Sequence, residues 1–222
     1  MPEWTSRSFI EEPHMRRLSE RAIGAVKVCL FLVALAPLAR LLLGVFVFPE
    51  WLGANPAEYI TRSTGDWALR FLLITLAVTP LRKLSGWVWI ARLRRMLGLY
   101  AFFYVVVHFA SYVSFDHVFD VRAILQDVVK RPFITVGFLS LVLLLPLAAT
   151  STHGMVRRLG AQRWNGLHRL VYVIGPLAVL HFWWMVKRDL TEPIIYALVL
   201  AVLLGYRVQE KWRQARVARP VR

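Results

Sequence analysis

Of the six histidines on this 222-residue chain, two lie deep inside apolar runs. His108 follows Tyr104-Val-Val-Val, and His181 follows Pro176-Leu-Ala-Val-Leu and precedes Phe-Trp-Trp. A polar group taken out of water without a partner costs about 2–7 kcal/mol, so each ring needs one. A neutral imidazole nitrogen is a common ligand of haem iron, which would be such a partner. A hydrogen bond to a neighbouring helix is the alternative. Depth favours iron. Arg95 is the last of a basic cluster ahead of His108, and Arg169 is the last basic residue ahead of His181. From each mark to its histidine is about 12–13 residues, roughly 18–20 Å at the rise of an α-helix. Two histidines at equal depth on two parallel helices can hold one haem iron from both axial sides. That leaves no open position for oxygen and favours electron transfer.

His168 lies on the same run as His181, about 13 residues earlier, or roughly 20 Å along a helix. Such a spacing suits two haems stacked across a membrane. The positions level with His168 on the run that carries His108 are Arg94 and Arg95. Arginine is not expected to ligate iron, but it can pair with a haem propionate. The residues therefore support one bis-histidine haem and leave open a second at His168, with His153 as a remote partner. His14, His117 and His153 otherwise read as surface side chains. The single cysteine, Cys29, excludes an intrachain disulfide and iron–sulfur ligation, and reads as a small buried apolar residue.

The elements that must position these groups are membrane spans. The chain is 58% hydrophobic, with a mean hydropathy of +0.52, and the excess falls in blocks long enough to cross a hydrocarbon core. Six spans are expected, at about residues 25–48, 66–84, 95–115, 133–150, 168–186 and 191–206. They read as helices, since lipid admits only helices and closed barrels and the blocks lack two-residue alternation. The expected fold is thus an all-α polytopic membrane bundle in one domain, its first span uncleaved.

Basic residues crowd the N-terminal segment, the loop from Arg82 to Arg95, the loop from Arg157 to Arg169, and the tail after Tyr206. By the positive-inside rule both termini are cytoplasmic. The segment Val118–Lys130 places Val118, Val121, Ile124, Leu125 and Val128 at helical spacing, which suggests an interfacial helix on the outer face. A helix packed on the bundle is the other reading. Arg40 and Arg70 are expected to snorkel to the outer interface. Most of the tryptophans fit an interfacial belt, and Trp183 and Trp184 could flank a porphyrin.

Net charge is +15, but the basic residues sit between apolar blocks and form no continuous face, which excludes nucleic acid. The basic tail is expected near anionic lipid. No glycine-rich dinucleotide fingerprint is present, so electrons would come from a separate protein or membrane quinone. Two other classes remain: a ferric or cytochrome b561-like reductase, and a cofactor-free transporter or assembly factor. The lack of acids deep in the spans weighs against proton-coupled transport.

Three stretches carry a family resemblance: Thr64-Gly65-x-Trp67-Ala68-Leu69; Arg94-Arg95-x-Leu97-Gly98-Leu99 leading to His108; and Arg158-Leu159-Gly160-x-x-x-Trp164-x-x-Leu167-His168-Arg169-Leu170-x-Tyr172, with His181 beyond. Over roughly residues 25–208 the chain resembles the MsrQ (YedZ) family, haem-binding membrane subunits of bacterial periplasmic methionine-sulfoxide reductase systems. That family lies in the ferric-reductase-like transmembrane group, with the membrane part of NADPH oxidases. The resemblance implies haem b, and FMN as well, in a multi-pass protein of the bacterial inner membrane. It implies electrons drawn from the quinone pool or a cytosolic flavin reductase. They would pass to a periplasmic molybdenum enzyme, MsrP, that repairs methionine sulfoxide in oxidised envelope proteins. The chain would be the electron-transfer subunit and would not carry the sulfoxide chemistry itself. His108, His168 and His181 match the family's essential histidines, and Arg94 its third-span arginine. The second histidine that the oxidases carry on the third span is absent, and FMN is placed on no residue.

Overall fold

The computed structural model describes residues 18–186 and 188–217; His14, Arg7, Arg16, Arg17, Lys187, Arg219 and Arg222 lie outside the described residues. The described chain is helical, with no strand, and runs α1 (Glu20–Phe46), α2 (Pro56–Ser85), α3 (Arg94–Phe115), α4 (Val121–Lys130), α5 (Pro132–Ala149), α6 (His153–Leu159), α7 (Ala161–His168), α8 (Val171–Met185) and α9 (Thr191–Val217). The ends are set by capping chemistry. Ser19, Asn55, Asp120 and Thr152 each accept a backbone N–H of the first turn of α1, α2, α4 and α6. Pro56 opens α2, and Gly86 ends it at φ +71°, a left-handed conformation that a residue with a Cβ adopts only at a cost.

α2 and α3 form the tightest helix pair, and α3, α5, α8, α9 and α2 follow one another around a ring, with α1 outside it. The centre of the α2–α3 pair is aromatic. Phe71 stacks on Tyr100 and Tyr104 with centroids 5.5 and 5.4 Å apart. Tyr104 is fully buried and donates to Ala34 O at 2.8 Å, while Tyr100 donates to Phe31 O at 2.9 Å. These two hydroxyls hold α1 against the pair.

Outward faces are as apolar as inward ones, Val28, Leu32 and Val33 of α1 among them, as expected of a surface solvated by lipid. Cys29 lies on this exposed side rather than in the core. Because lipid tails are apolar, α1 can pack by a narrow stripe of Ile23, Ala34, Leu41 and Gly44 and leave Cys29 outside it.

Four helices are long and apolar enough to cross a membrane: Glu20–Phe46, Val88–Phe115, Pro132–Ala149 and Thr191–Arg216. α2 has the length, at 30 residues, but carries Asp66, Arg70, Arg82 and Lys83. The run expected from residue 168 is broken. His168 ends α7, the N–H groups of Arg169, Leu170, Tyr172 and Val173 bond three residues back at 2.9–3.2 Å, and α8 keeps 15 residues. The overwound joint lies just past Gly166, a poor helix former.

At one end of the bundle the start of α1 meets the α2–α3 connection through Glu20 and Arg92, at 2.6 and 2.7 Å. At the same end Lys83 of α2 meets Glu210 of α9 at 2.5 Å. Arg70, expected to snorkel, donates to Tyr196 Oη of α9 at 2.9 Å and lies 3.8 Å from Asp66. At the opposite end α4 is turned unusually. It buries Asp127, 9% exposed, and presents Val121, Leu125 and Val129 outward, 66%, 59% and 82% exposed.

Candidate functional site

Within the ring, α3 brings His108 and α8 brings His181 to one level, with ring centroids 6.2 Å apart and planes at 74°. Each ring is pinned from behind. His108 Nδ1 lies 2.8 Å from Thr61 O of α2, and His181 Nδ1 lies 2.7 Å from Phe133 O of α5. A carbonyl oxygen only accepts, so Nδ1 carries the proton in both rings and Nε2 keeps its lone pair. This hydrogen bond from the far nitrogen is the one that fixes tautomer and orientation in metal-ligating histidines.

Two glycines make the arrangement possible. Thr61 and Phe133 each precede by one helical turn a glycine, Gly65 and Gly137. A Cβ added at Gly65 would lie 3.0 Å from His108 Cε1, and one at Gly137 would lie 2.7 Å from His181 Nδ1. The two histidines are thus seated in matching ways, each close against a helix where a glycine carries no side chain and each bonded to the carbonyl one turn earlier. Neither the carbonyls nor the role of the glycines was read from the sequence. The available signal was a glycine inside an otherwise helical segment, which marks close approach.

Two imidazoles on opposite sides of one metal, each bonded at about 2 Å, have centroids roughly 6 Å apart. The observed 6.2 Å fits that separation. Among the described residues no group of three or more His, Cys, Asp or Glu could hold a bare ion. Two nitrogens alone hold a metal poorly. A ligand that brings its own four equatorial donors, as a porphyrin does, completes the set.

His168 stands apart. Its Nδ1 lies 3.0 Å from Trp164 O, its ring stacks on Trp164 at 3.8 Å, and Trp164 Nε1 donates to Thr150 O at 2.9 Å. Its Nε2 is buried and makes no hydrogen bond of ordinary geometry, although the Leu147 backbone also lies close to the ring. Arg94 does not meet it: its Nη2 donates to Thr79 Oγ1 of α2 at 2.7 Å. Trp164 is therefore a positioning partner of His168.

Toward the α4 end, one turn past His108, Tyr112 Oη donates to Asp127 Oδ2 at 2.9 Å. His117 Nε2 lies 3.2 Å from the same oxygen, and Arg131 Nε donates to Oδ1 at 2.8 Å. His117, expected at the surface, is instead packed on Tyr112, because the buried carboxylate needs its hydrogen bonds. His153 is exposed at the start of α6.

A family model described as ferric reductase like transmembrane component matches residues 64–188, a stretch that contains Gly65, Arg94, His108, Gly137, His168 and His181. A protein of Herminiimonas arsenicoxydans named protein-methionine-sulfoxide reductase heme-binding subunit MsrQ is 59% identical over 85% of this chain and 87% of its own. Proteins of the same name from Ralstonia nicotianae and Bordetella pertussis are each 53% identical, covering 90% and 91% of this chain and 92% and 98% of their own. The chain belongs to the MsrQ family of ferric-reductase-like transmembrane proteins. Membership and the four long apolar helices together make it a multi-pass membrane protein. Within an MsrQ chain, the matched segment begins at the very turn of α2 against which His108 is seated.

Proposed function

We propose that this chain is the haem-binding electron-transfer subunit of a periplasmic methionine-sulfoxide reductase system, with one haem b held between His108 and His181. The observation that carries the reading is the pair itself: two imidazoles 6.2 Å apart, each with Nδ1 committed to a helix carbonyl. Bound there, haem b supplies one-electron exchange. The chain's residues do the rest. Thr61 O and Phe133 O hold the tautomer that would leave Nε2 of each ring free to ligate, and Gly65 and Gly137 make room for the rings. The names of the relatives support the haem and the sulfoxide-reductase assignment.

The same reading has one domain that crosses the bacterial inner membrane six times, α2 and α7–α8 joining the four long apolar helices. Both termini are cytoplasmic. Glu20, Arg92, Lys83 and Glu210 share one end of the bundle, and the basic residues collect there. α4 then lies on the outer surface, its outward apolar face in the lipid interface. Electrons come from quinone or a cytosolic flavin reductase and leave for MsrP. FMN belongs to this reading by family resemblance. The buried Nε2 of His168, with no hydrogen-bond partner among the described residues, is the atom that would hold a second haem on the cytoplasmic side.

The test is the dithionite-reduced minus oxidised spectrum of the purified chain beside His108→Ala, His181→Ala and His168→Ala. Loss of a low-spin b-type signal, or its conversion to high spin, in both of the first two variants is expected. An unchanged spectrum in both would refute the pairing. His168→Ala should remove a second component of a redox titration and spare the first. Mixing the reduced chain with MsrP should reoxidise it, whereas reoxidation by ferric chelates and not by MsrP would establish the ferric-reductase alternative.

A further inference from the structure

Three arginines stand at the end of the bundle where α2 finishes and α3 begins. Arg82 is in the last turn of α2, Arg94 opens α3, and Arg207 lies on α9. Thr79 Oγ1 accepts from Arg94 Nη2 at 2.7 Å and from Arg207 Nη2 at 3.3 Å. Arg207 also donates to Leu76 O at 2.7 Å and to Tyr172 Oη at 2.6 Å, and its guanidinium lies 5.0 Å over the Tyr172 ring. Its Nε is buried with no partner.

Like charges converging on one hydroxyl oxygen repel, and lipid on the outside screens them poorly. Among the described residues no carboxylate lies within ion-pair distance of Arg82, Arg94 or Arg207. The charges acting on Arg94 from Arg207 and Arg82 are both repulsive. Acids do stand at this end: Glu20 serves Arg92 and Glu210 serves Lys83. They bypass Arg94 and Arg207, which meet at Thr79, and Arg82, whose charge acts on Arg94.

We propose that Arg94 and Arg207, which meet at Thr79, form with the nearby Arg82 an oxyanion site that takes a phosphate group. Guanidinium forks match phosphate oxygens, and basic pockets between membrane helices near the surface hold anionic head groups. Arg207, fixed by Tyr172, Leu76 O and Thr79, is the rigid wall of the site. Arg82, whose guanidinium makes no hydrogen bond among the described residues, is free to close on the ligand. The phosphate can be the diester of an anionic phospholipid or a soluble phosphate monoester. The site lies roughly 20 Å along α3 from His108, so its occupancy is separable from ligation at the histidine pair.

The test uses the full haem-loaded chain in neutral detergent. Thermal unfolding is followed against phosphatidylglycerol, against phosphatidylcholine, and against inorganic phosphate at the ionic strength of a chloride control. A saturable rise in Tm with phosphatidylglycerol alone assigns the lipid diester. A rise with inorganic phosphate assigns the soluble monoester. Arg94→Gln and Arg207→Gln should each weaken that binding at least about tenfold, the expected scale for losing a charge-assisted phosphate contact. Arg157→Gln, an exposed arginine of α6, should leave it unchanged. If Arg207→Gln does not fold, Arg82→Gln reads the same contact without disturbing a hydrogen bond. No shift beyond the phosphatidylcholine and chloride controls overturns the proposal, as does equal weakening by Arg157→Gln.

Discussion

A single methyl group on α5 should unseat His181. A Cβ at Gly137 meets His181 Nδ1 at 2.7 Å and Cε1 at 2.8 Å, against roughly 3.5–4.0 Å for an ordinary carbon contact. To regain that contact the ring has to move by about 0.7–1 Å, which stretches or breaks its 2.7 Å bond to Phe133 O. Overpacking costs about 1–3 kcal/mol, and the lost hydrogen bond about 1 kcal/mol more. Alanine in place of glycine inside a helix returns about 0.5–1 kcal/mol. The net is a loss of about 1–3 kcal/mol, opposite in sign to helix propensity alone.

Two companions set the scale. At Gly65 the nearest His108 atoms are 3.0 and 3.1 Å away, so a shift of the ring by a few tenths of an ångström accommodates Gly65→Ala near neutrality. At Gly205 of α9 nothing lies within 4 Å, and Gly205→Ala should stabilise. Thermal unfolding of the detergent-purified chain, followed by loss of helical circular dichroism, should therefore rank Gly205→Ala highest and Gly137→Ala lowest. On the haem-loaded protein the same displacement, large beside a bond of about 2 Å, should cost Gly137→Ala its low-spin spectrum. A Gly137→Ala protein at least as stable as wild type, or a Gly65→Ala protein less stable than Gly137→Ala, would show that close seating against the helix backbone is not what holds the rings.

Tyr104→Phe removes a fully buried donor to Ala34 O and should lower stability by about 0.5–1.5 kcal/mol, read as a fall in Tm; an unchanged Tm would mean that the Tyr104 hydroxyl does not help to hold α1. Asp127→Ala takes the shared acceptor from Tyr112, His117 and Arg131, at a cost of about 1–3 kcal/mol. Amide exchange over 121–130 should then speed up while the reduced-minus-oxidised spectrum stays as in wild type, and undiminished protection would mean that the carboxylate does not fix α4. The spectra of the three histidine variants and the phosphate-binding series complete the set.

The level shared by His108 and His181 was legible because a helix rises by a fixed amount per residue and basic clusters mark where spans begin. The helical character of the chain was legible for a similar reason, since lipid leaves few alternatives. His117 and Cys29 were misplaced for the opposite reason. In a bundle whose outer faces are as apolar as its inner ones, hydrophobicity does not say which side of a helix is packed, so Cys29 read as core and lies outside. His117 read as solvated because its acceptor, Asp127, stands on α4, and nothing in the spacing says that α4 turns this one carboxylate inward.

By itself, then, the sequence determined that this chain is helical and apolar along long runs, that it carries histidines at one depth, and that it resembles haem-binding subunits. Those properties are local or cumulative along one helix. The tertiary structure decided which carbonyls fix the imidazole tautomers, why Gly65 and Gly137 are glycines, and that Arg94 and Arg207 converge on Thr79. Each of these is a contact between different helices, set by which helices become neighbours and how they are rotated, and lipid-exposed apolar faces leave that rotation unwritten in the pattern of residue types.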